Sequence, residues 1–382
     1  MKKKEWKNRM RWKVTGTCLV AFFLCSMTAL GAPELPGLIY DHSMELQYAE
    51  CFSVDYYEGG YSLIQIKDGD SFLVVPQDQE APEGLDDSIV VLQQPISSIY
   101  LVATSAMDFF ASLDGLDAIR LSGTQAEGWY VEEARAAMEA GDILYAGKYS
   151  APDYELIVSE NCDLAIESTM IYHTPEVQER LEEFGIPVLV ERSSYEEHPL
   201  GRVEWMKLYG VLLDKEEEAQ ALFDAQTEKL EEVLNGEDTG KTVAFFYISS
   251  NGYVNVRKSG DYISKMIDLA GGTYVFQNLG DGDNALSTMN MQMEEFYAGA
   301  READVLIYNS TIDGELADLD ALLQKSELLA DFTAVQSGDV WCTTRNLFQE
   351  TSGLADMIVD IHRILTTEDD SLDQTNYLYR LK

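Results

Sequence analysis

The sequence predicts an α/β protein of two αβ lobes joined by a single long α-helix, with a ligand cleft between the lobes. Three observations carry that expectation. Short apolar runs of strand length alternate with helical patterns on both sides of residue 200, the pattern of mainly parallel sheets covered on both faces. Between these stretches, residues 201–234 lack proline and repeat apolar residues at helical spacing. The two flanking stretches also echo one another, each with an acid-opened helix leading into an apolar strand.

The first 31 residues hold seven Lys/Arg and one Glu, and a mostly apolar run over 14–30 precedes Gly31 and Ala32. A basic start, an apolar middle and an Ala29-Leu30-Gly31 exit are the parts of a secretory signal. A run of about 17 residues sits at the lower edge of a membrane span, so a cleaved signal peptide and a retained N-terminal anchor both stay open. Cys25 follows Leu24 rather than a small residue, which suits lipid attachment poorly. The remainder is expected outside the cytoplasm: secreted, periplasmic or on the cell surface.

Residues 44–76 alternate strand-like runs with the turn signals Glu58-Gly59-Gly60 and Asp68-Gly69-Asp70, which predicts a small antiparallel section. The polar stretch 77–87, with Pro82 and Gly84, reads as a loop. In the first lobe, strands are predicted over 99–103, 143–145, 163–166 and 187–190. Helices are predicted over 106–113, 132–140, 154–158 and 174–184, the last closed by Gly185. The stripe Trp205, Leu208, Leu212, Ala219, Leu222, Phe223, Leu230, Val233 then predicts the connecting helix, with Pro199 near its start. Unbroken, it would be roughly 50 Å long and act as a stiff strut, although Gly210 could divide it. The second lobe reads as strands over 242–248, 305–308 and 340–341 and helices over 261–270, 293–300, 319–329 and 352–365. The boundaries are thus 1–31 for the leader, 38–195 for the N-terminal lobe with its β-rich start, 196–236 for the linker helix and 237–382 for the C-terminal lobe.

The echo is local. Tyr154-Glu155-Leu156-Ile157 opens a helix before the strand within 161–167, and Met293-Glu294-Glu295-Phe296 opens one before the strand within 302–308. Short αβ connections recur in many folds. It is the long helix between the two units that suggests a true pair.

The chain has 382 residues, 46% hydrophobic and 25% charged, enough for two lobes with cores of their own. Its formal charge is −40, and without the leader 66 acids face 20 bases. That surface repels phosphate backbones and anionic lipid, so nucleic acid is not an expected partner, and membrane association is expected only through the leader or a membrane partner. Beyond the leader only Cys51, Cys162 and Cys342 remain, too few and too irregular for a disulfide framework or a zinc site, though one bridge between Cys51 and Cys342 stays open. No nucleophile elbow or phosphate loop occurs, and four histidines offer few general bases, so no catalytic residue and no bound metal are expected.

The order of leader, αβ lobe, long helix and αβ lobe resembles the ABC-importer substrate-binding proteins for iron–siderophores, haem or cobalamin, the class III periplasmic binding proteins. The stretch from Tyr195-Glu196-Glu197-His198-Pro199 through Tyr209-Gly210 is similar to that family's entry into its linker helix. The resemblance implies Rossmann-like lobes and a binding subunit, expected to be a monomer without an intrinsic cofactor. It would deliver a small-molecule metal chelate to an ABC permease and its ATPase. It further implies that Glu155 and Glu294, or Glu295 in place of Glu294, dock onto the permease through charge-assisted contacts.

Ligand is then expected at the carboxyl ends of the strands. In the first lobe this singles out Thr104, Ser105, Lys148, Tyr149, Ser168, Thr169, Tyr172, Arg192 and Tyr195. In the second it singles out Ser249, Asn251, Tyr253, Asn309, Arg345 and Phe348. Arg192, Arg202 and Arg345 are candidates for anionic groups on the ligand, against a plain surface or lobe-stabilising role. His173 and His198 are candidates for an axial metal contact, against the commoner role of loop histidines. The alternatives are a secreted two-lobed metal-dependent enzyme, or a surface ligand sensor or adhesin of the same fold.

Overall fold

Glycine-rich turns set the first part of the chain. Gly59 and Gly60 both adopt positive φ (90° and 86°), which an L side chain would resist, and they close a hairpin. In the computed structural model, which describes residues 32–234, 236, 238–280, 288–367 and 371–382, this hairpin belongs to a five-stranded sheet. Its strands, in order, are β1 (Tyr40–Ser43), β2 (Phe52–Tyr57), β3 (Tyr61–Ile66), β4 (Ser71–Val75) and β5 (Ile89–Gln93). β4 and β5 pair in parallel, so the section is not wholly antiparallel. The polar connection read as a loop is long enough to carry the chain back to the same end of the sheet. The expected leader lies outside the described residues.

The first lobe runs β6 (Ile99–Leu101), α1 (Met107–Ser112), β7 (Ile119–Ser122), α2 (Glu132–Ala140) and β8 (Leu144–Tyr145). A short hairpin, β9 (Gly147–Lys148) and β10 (Ala151–Pro152), leads to α3 (Tyr154–Ser159), β11 (Leu164–Ser168), α4 (Pro175–Glu183) and β12 (Val188–Glu191). The sheet order is β12-β11-β6-β7-β8, all parallel. β7 has no counterpart in the sequence reading, because Ile119-Arg120-Leu121-Ser122 is short and interrupted by an arginine that reaches Glu160 at 2.8 Å.

The single long helix is corrected. The connector comprises α5 (Pro199–Glu204), α6 (Met206–Leu213), α7 (Glu216–Lys229) and α8 (Glu231–Leu234). Asp214 turns into the left-handed region (φ 57°, ψ 43°) and the Lys215 amide closes back onto the Gly210 carbonyl at 2.8 Å, a helix-ending motif. α7 then folds back along α6. A Cβ at Gly210 would lie 2.7 Å from the Ala219 Cβ, and Lys207 Nζ sits 4.5 Å from the Phe223 ring centre. Gly210 therefore permits close helix packing rather than making the break. Helical periodicity is the same for one straight helix and for two that bury the same stripe against each other.

The second lobe runs β13 (Thr242–Ile248), β14 (Val254–Arg257), α9 (Tyr262–Leu269), β15 (Thr273–Tyr274), β16 (Thr288–Met291), α10 (Met293–Ala300) and β17 (Val305–Tyr308). It continues with α11 (Ser310–Asp313), α12 (Leu319–Lys325), α13 (Thr333–Ser337), β18 (Val340–Thr343), α14 (Leu354–Thr366) and β19 (Leu378–Arg380). The helix expected over 319–329 ends at Lys325 and gives way to a 3-10 turn, Glu327–Asp331. The seven-stranded sheet has the order β16-β14-β13-β17-β18-β19, with β15 beside β13. Its centre, β13, β17 and β18, is parallel. The two lobes thus keep separate sheets, and the echoed units appear as α3–β11 and α10–β17.

One apolar core runs through both lobes and the connector, including Leu101 and Phe109, Trp205 and Tyr209, and Phe245 and Trp341. Polar anchors reinforce it. Glu204, fully buried, accepts from the amides of Gln47, Tyr48 and Ala49 (2.8–3.1 Å) and from Lys207 Nζ at 2.9 Å. Glu196 accepts from the amides of Glu50 and Cys51 and from the Trp205 indole, each at 2.9 Å. Two carboxylates on the connector thereby hold residues 47–51, the lead-in to β2. Cys51, Cys162 and Cys342 are all free thiols. Among the described residues no helix is long and apolar enough to cross a membrane.

Candidate functional site

In a parallel sheet every strand ends at the same edge, and the loops leaving that edge form a rim. The rims of the two lobes touch. After β7, the Gly128 carbonyl accepts from Gln349 Nε2 at 2.8 Å, and the Tyr130 amide donates to Gln349 Oε1 at 2.7 Å. Gln349 lies in the loop after β18. Beside it, the Ser352 amide donates to Asp108 Oδ2 at 2.7 Å. Burial pushes the Asp108 carboxyl up to about 6, against the lowering effect of the Ser352 bond, while Glu350 and Glu133 nearby raise it further. These contacts floor a cleft whose walls are the strand-end loops of each lobe. No sequence signal marked Asp108, Tyr130, Gln349 or Ser352, because their pairing spans more than 200 residues.

On the first rim, Thr104 is exposed and Ser105 Oγ donates to buried Glu191 at 2.9 Å. Lys148 is exposed, while Tyr149 packs on the lobe core. Ser168 caps the 3-10 turn Thr169–His173, accepting from the Met170 amide. Tyr172 (47% exposed) and Tyr195 (39%) come together with Arg192. The Arg192 guanidinium lies 4.9 Å from the Tyr195 ring centre and donates to the carbonyls of Lys67 and Asp68 at 2.7 and 3.1 Å. Burial raises the Tyr172 phenol, with the Arg192 charge opposing it. Ile66, the β3–β4 turn, Tyr172, Gln178 and Val190 line a cavity of about 260 Å³. Arg192 thus ties the N-terminal sheet to this rim.

On the second rim, Ser249, Asn251 and Tyr253 form a turn closed on itself, with Ser249 Oγ donating to Asn251 Oδ1 (2.5 Å) and to the Tyr253 carbonyl (2.8 Å). Asn309 is buried and caps α11, accepting from the amide and hydroxyl of Thr311. Arg345 is exposed and lies 3.7 Å from Glu315. Phe348 packs beneath Arg257 at 5.1 Å. His198 caps α5 through Nδ1 and stacks on Tyr48 at 4.5 Å, and burial lowers its pKa, whereas His173 is exposed.

Two larger cavities lie away from this cleft. One of about 790 Å³ lies between β1 and α7, lined in part by His42, Tyr56, Glu216 and Asp224. The other, about 680 Å³, includes Pro76, Gln94, Asp114 and Lys215. The rim also carries a buried acid. Glu167 in β11 has no exposure and no hydrogen-bond partner at either oxygen among the described residues. Burial pushes it up to about 8, so it is largely protonated at neutral pH.

Glu155 and Glu294 are both exposed in the first turns of α3 and α10, and Glu295 is exposed beside Glu294. β16 runs parallel to β13, so α10 opens at the rim where β16 ends.

Comparison with known proteins follows the same outline. A model of the periplasmic binding protein family matches residues 108–347. An uncharacterized lipoprotein of Methanocaldococcus jannaschii is 24% identical over 351 residues, covering 85% of this chain and 82% of its own length. Among solved structures, a periplasmic haem-binding protein of Vibrio cholerae superposes with a TM-score of 0.58 at 16% identity, covering 71% of this chain and 99% of that one. An ABC-type Fe3+-hydroxamate transport protein of Saccharomonospora viridis gives 0.56 at 20% identity, covering 72% and 94%.

Proposed function

The chain belongs to the periplasmic binding protein family, and from that premise we propose that it is the extracytoplasmic substrate-binding subunit of an ABC importer. Residues 38–195 and 237–382 serve as the two jaws and 196–236 as the connector. The ligand is an iron–siderophore, haem or cobalamin-type chelate. The structural neighbours that bind haem or belong to a ferric hydroxamate transport system support the first two classes. The observation that carries the reading is the pair of facing rims, held at their floor by Gln349 and Asp108. The stiff strut expected from the sequence no longer supports it, since the connector is a folded hairpin. The paired sheets and the family match take that place.

Tyr172 and Tyr253, both exposed on opposite rims, offer aromatic faces to a large, partly apolar chelate. Lys148 and Arg345 offer charge at the edges. Glu155 and Glu294 dock the loaded protein onto the permease, guiding orientation and encounter rate more than affinity. The lipoprotein relative supports retention at the outer face of a membrane. A thermal-shift screen over ferric siderophores, haem and corrinoids tests the assignment. One class should raise the melting temperature in proportion to ln(1 + [L]/Kd), without turnover. Product formation, or no shift across all three classes, would refute it.

A further inference from the structure

In a chain of net charge −40, one seam is basic. α5 packs along α9 at the point where the connector meets both lobes. His198 opens α5 within reach of the Lys265 charge on α9. One turn further, the Arg202 guanidinium sits 4.1 Å from the centre of the Tyr262 ring. From the adjoining strand, Arg257 stands 5.1 Å from the Phe348 ring centre and 3.6 Å from Asp261. Asp261 pairs with Arg257 and already caps α9 through the Ile263 amide.

Arg202 is 7% exposed. Its Nε has no partner, and it joins none of the ion pairs among the described residues. Only Nε is sealed off in this way; the terminal amines are not among the sealed, unpartnered atoms, so they reach the surface at the seam. A guanidinium largely removed from water and outside any ion pair is costly, and stacking on one tyrosine offsets only part of that cost. The planar fork suits an oxyanion held by two parallel bonds.

We propose that the α5–α9 seam is an oxyanion subsite that takes a carboxylate or phosphate group, with Arg202 as its anchor, Arg257 as its second cation and Tyr262 as its wall. It deepens the binding-protein reading and rests on it for its biological role: Phe348 belongs to the second rim, so the subsite adjoins the cleft. The anion is either a carboxylate carried by the chelate or a free small anion.

The test uses the full chain with citrate, phosphate and chloride at equal ionic strength, followed by haemin, which carries two carboxylates, and ferrioxamine B, which carries none. Citrate or phosphate should raise the melting temperature of the wild type beyond chloride if the anion is free. A shift with haemin but not citrate assigns the group to the chelate. In either case Arg202→Met should weaken the anion response at least about tenfold by calorimetry, and Arg202→Lys should keep part of it. In chloride alone, Arg202→Met should raise the melting temperature, because an uncompensated buried charge is gone.

A purely structural arginine gives the reverse, a lower melting temperature in chloride, and that result overturns the subsite. So does an anion response that survives in Arg202→Met, or its absence with every anion in the wild type. Chelates that stabilise wild type and Arg202→Met equally leave the importer reading standing while the subsite falls. A citrate response with no chelate response does the opposite.

Discussion

Glu204 and Glu167 are both carboxylates with no solvent exposure, one on the connector and one on the first rim. Glu204 meets three backbone amides and an ammonium. Glu167 meets no partner among the described residues. The connector uses buried charge to fix the lead-in to the N-terminal sheet. The rim leaves a polar group unsatisfied, and burial answers by keeping it protonated. Hydrogen bonding, not depth, separates the two cases. Glu204 on the connector is satisfied, whereas Glu167 on the first rim and the Arg202 Nε on the connector are not.

The largest effect expected from that contrast is at the connector. Glu204→Ala strands Lys207 and three amides, and should cost about 3–5 kcal/mol in urea denaturation. A loss below about 1 kcal/mol would mean the clasp is ornamental. At the rim the sign is opposite. An acid whose pKa is raised in the folded state favours folding below its ordinary value of 4.5, and that contribution is lost as pH climbs towards about 8. Glu167→Gln should therefore flatten the fall in stability between those limits, and at pH 9 it should be the more stable protein by about 2–4 kcal/mol. Melting curves from pH 5 to 9 decide this, and parallel curves for the two proteins would contradict it.

A smaller change is expected at the floor of the cleft. Gln349→Ala removes two bonds between rims, worth about 1–2 kcal/mol together, and should speed hydrogen exchange at the Tyr130 amide. Unaltered protection there would show that the shared core alone holds the lobes. The least effect on stability is expected at Glu155→Ala and Glu294→Ala, within about 0.5 kcal/mol because both side chains are exposed. Each should slow delivery to permease vesicles while ligand affinity stays unchanged.

Much of this was legible in residue order. The strands over 242–248 and 305–308 and the helices over 132–140 and 293–300 are read from periodicity alone, and each matches the structure. The short strands β7, β14, β16 and β19 were not, because three or four residues with polar members carry no period. For the site, the sequence located the loops but not the contacts. Asn309 sits where expected yet serves as a helix cap, and Arg192 braces a turn some 120 residues away. Gln349 had no signal at all.

The sequence by itself determined the α/β class, the two echoed units, the acidic surface and which loops leave the strand ends, because these follow from local pattern and composition. Tertiary structure alone decided that the connector doubles back at Asp214, that Gln349 and Asp108 join the rims, and that Glu204 is satisfied while Glu167 and Arg202 are not. Those outcomes depend on which distant groups share a small volume, and that is settled only when the core closes.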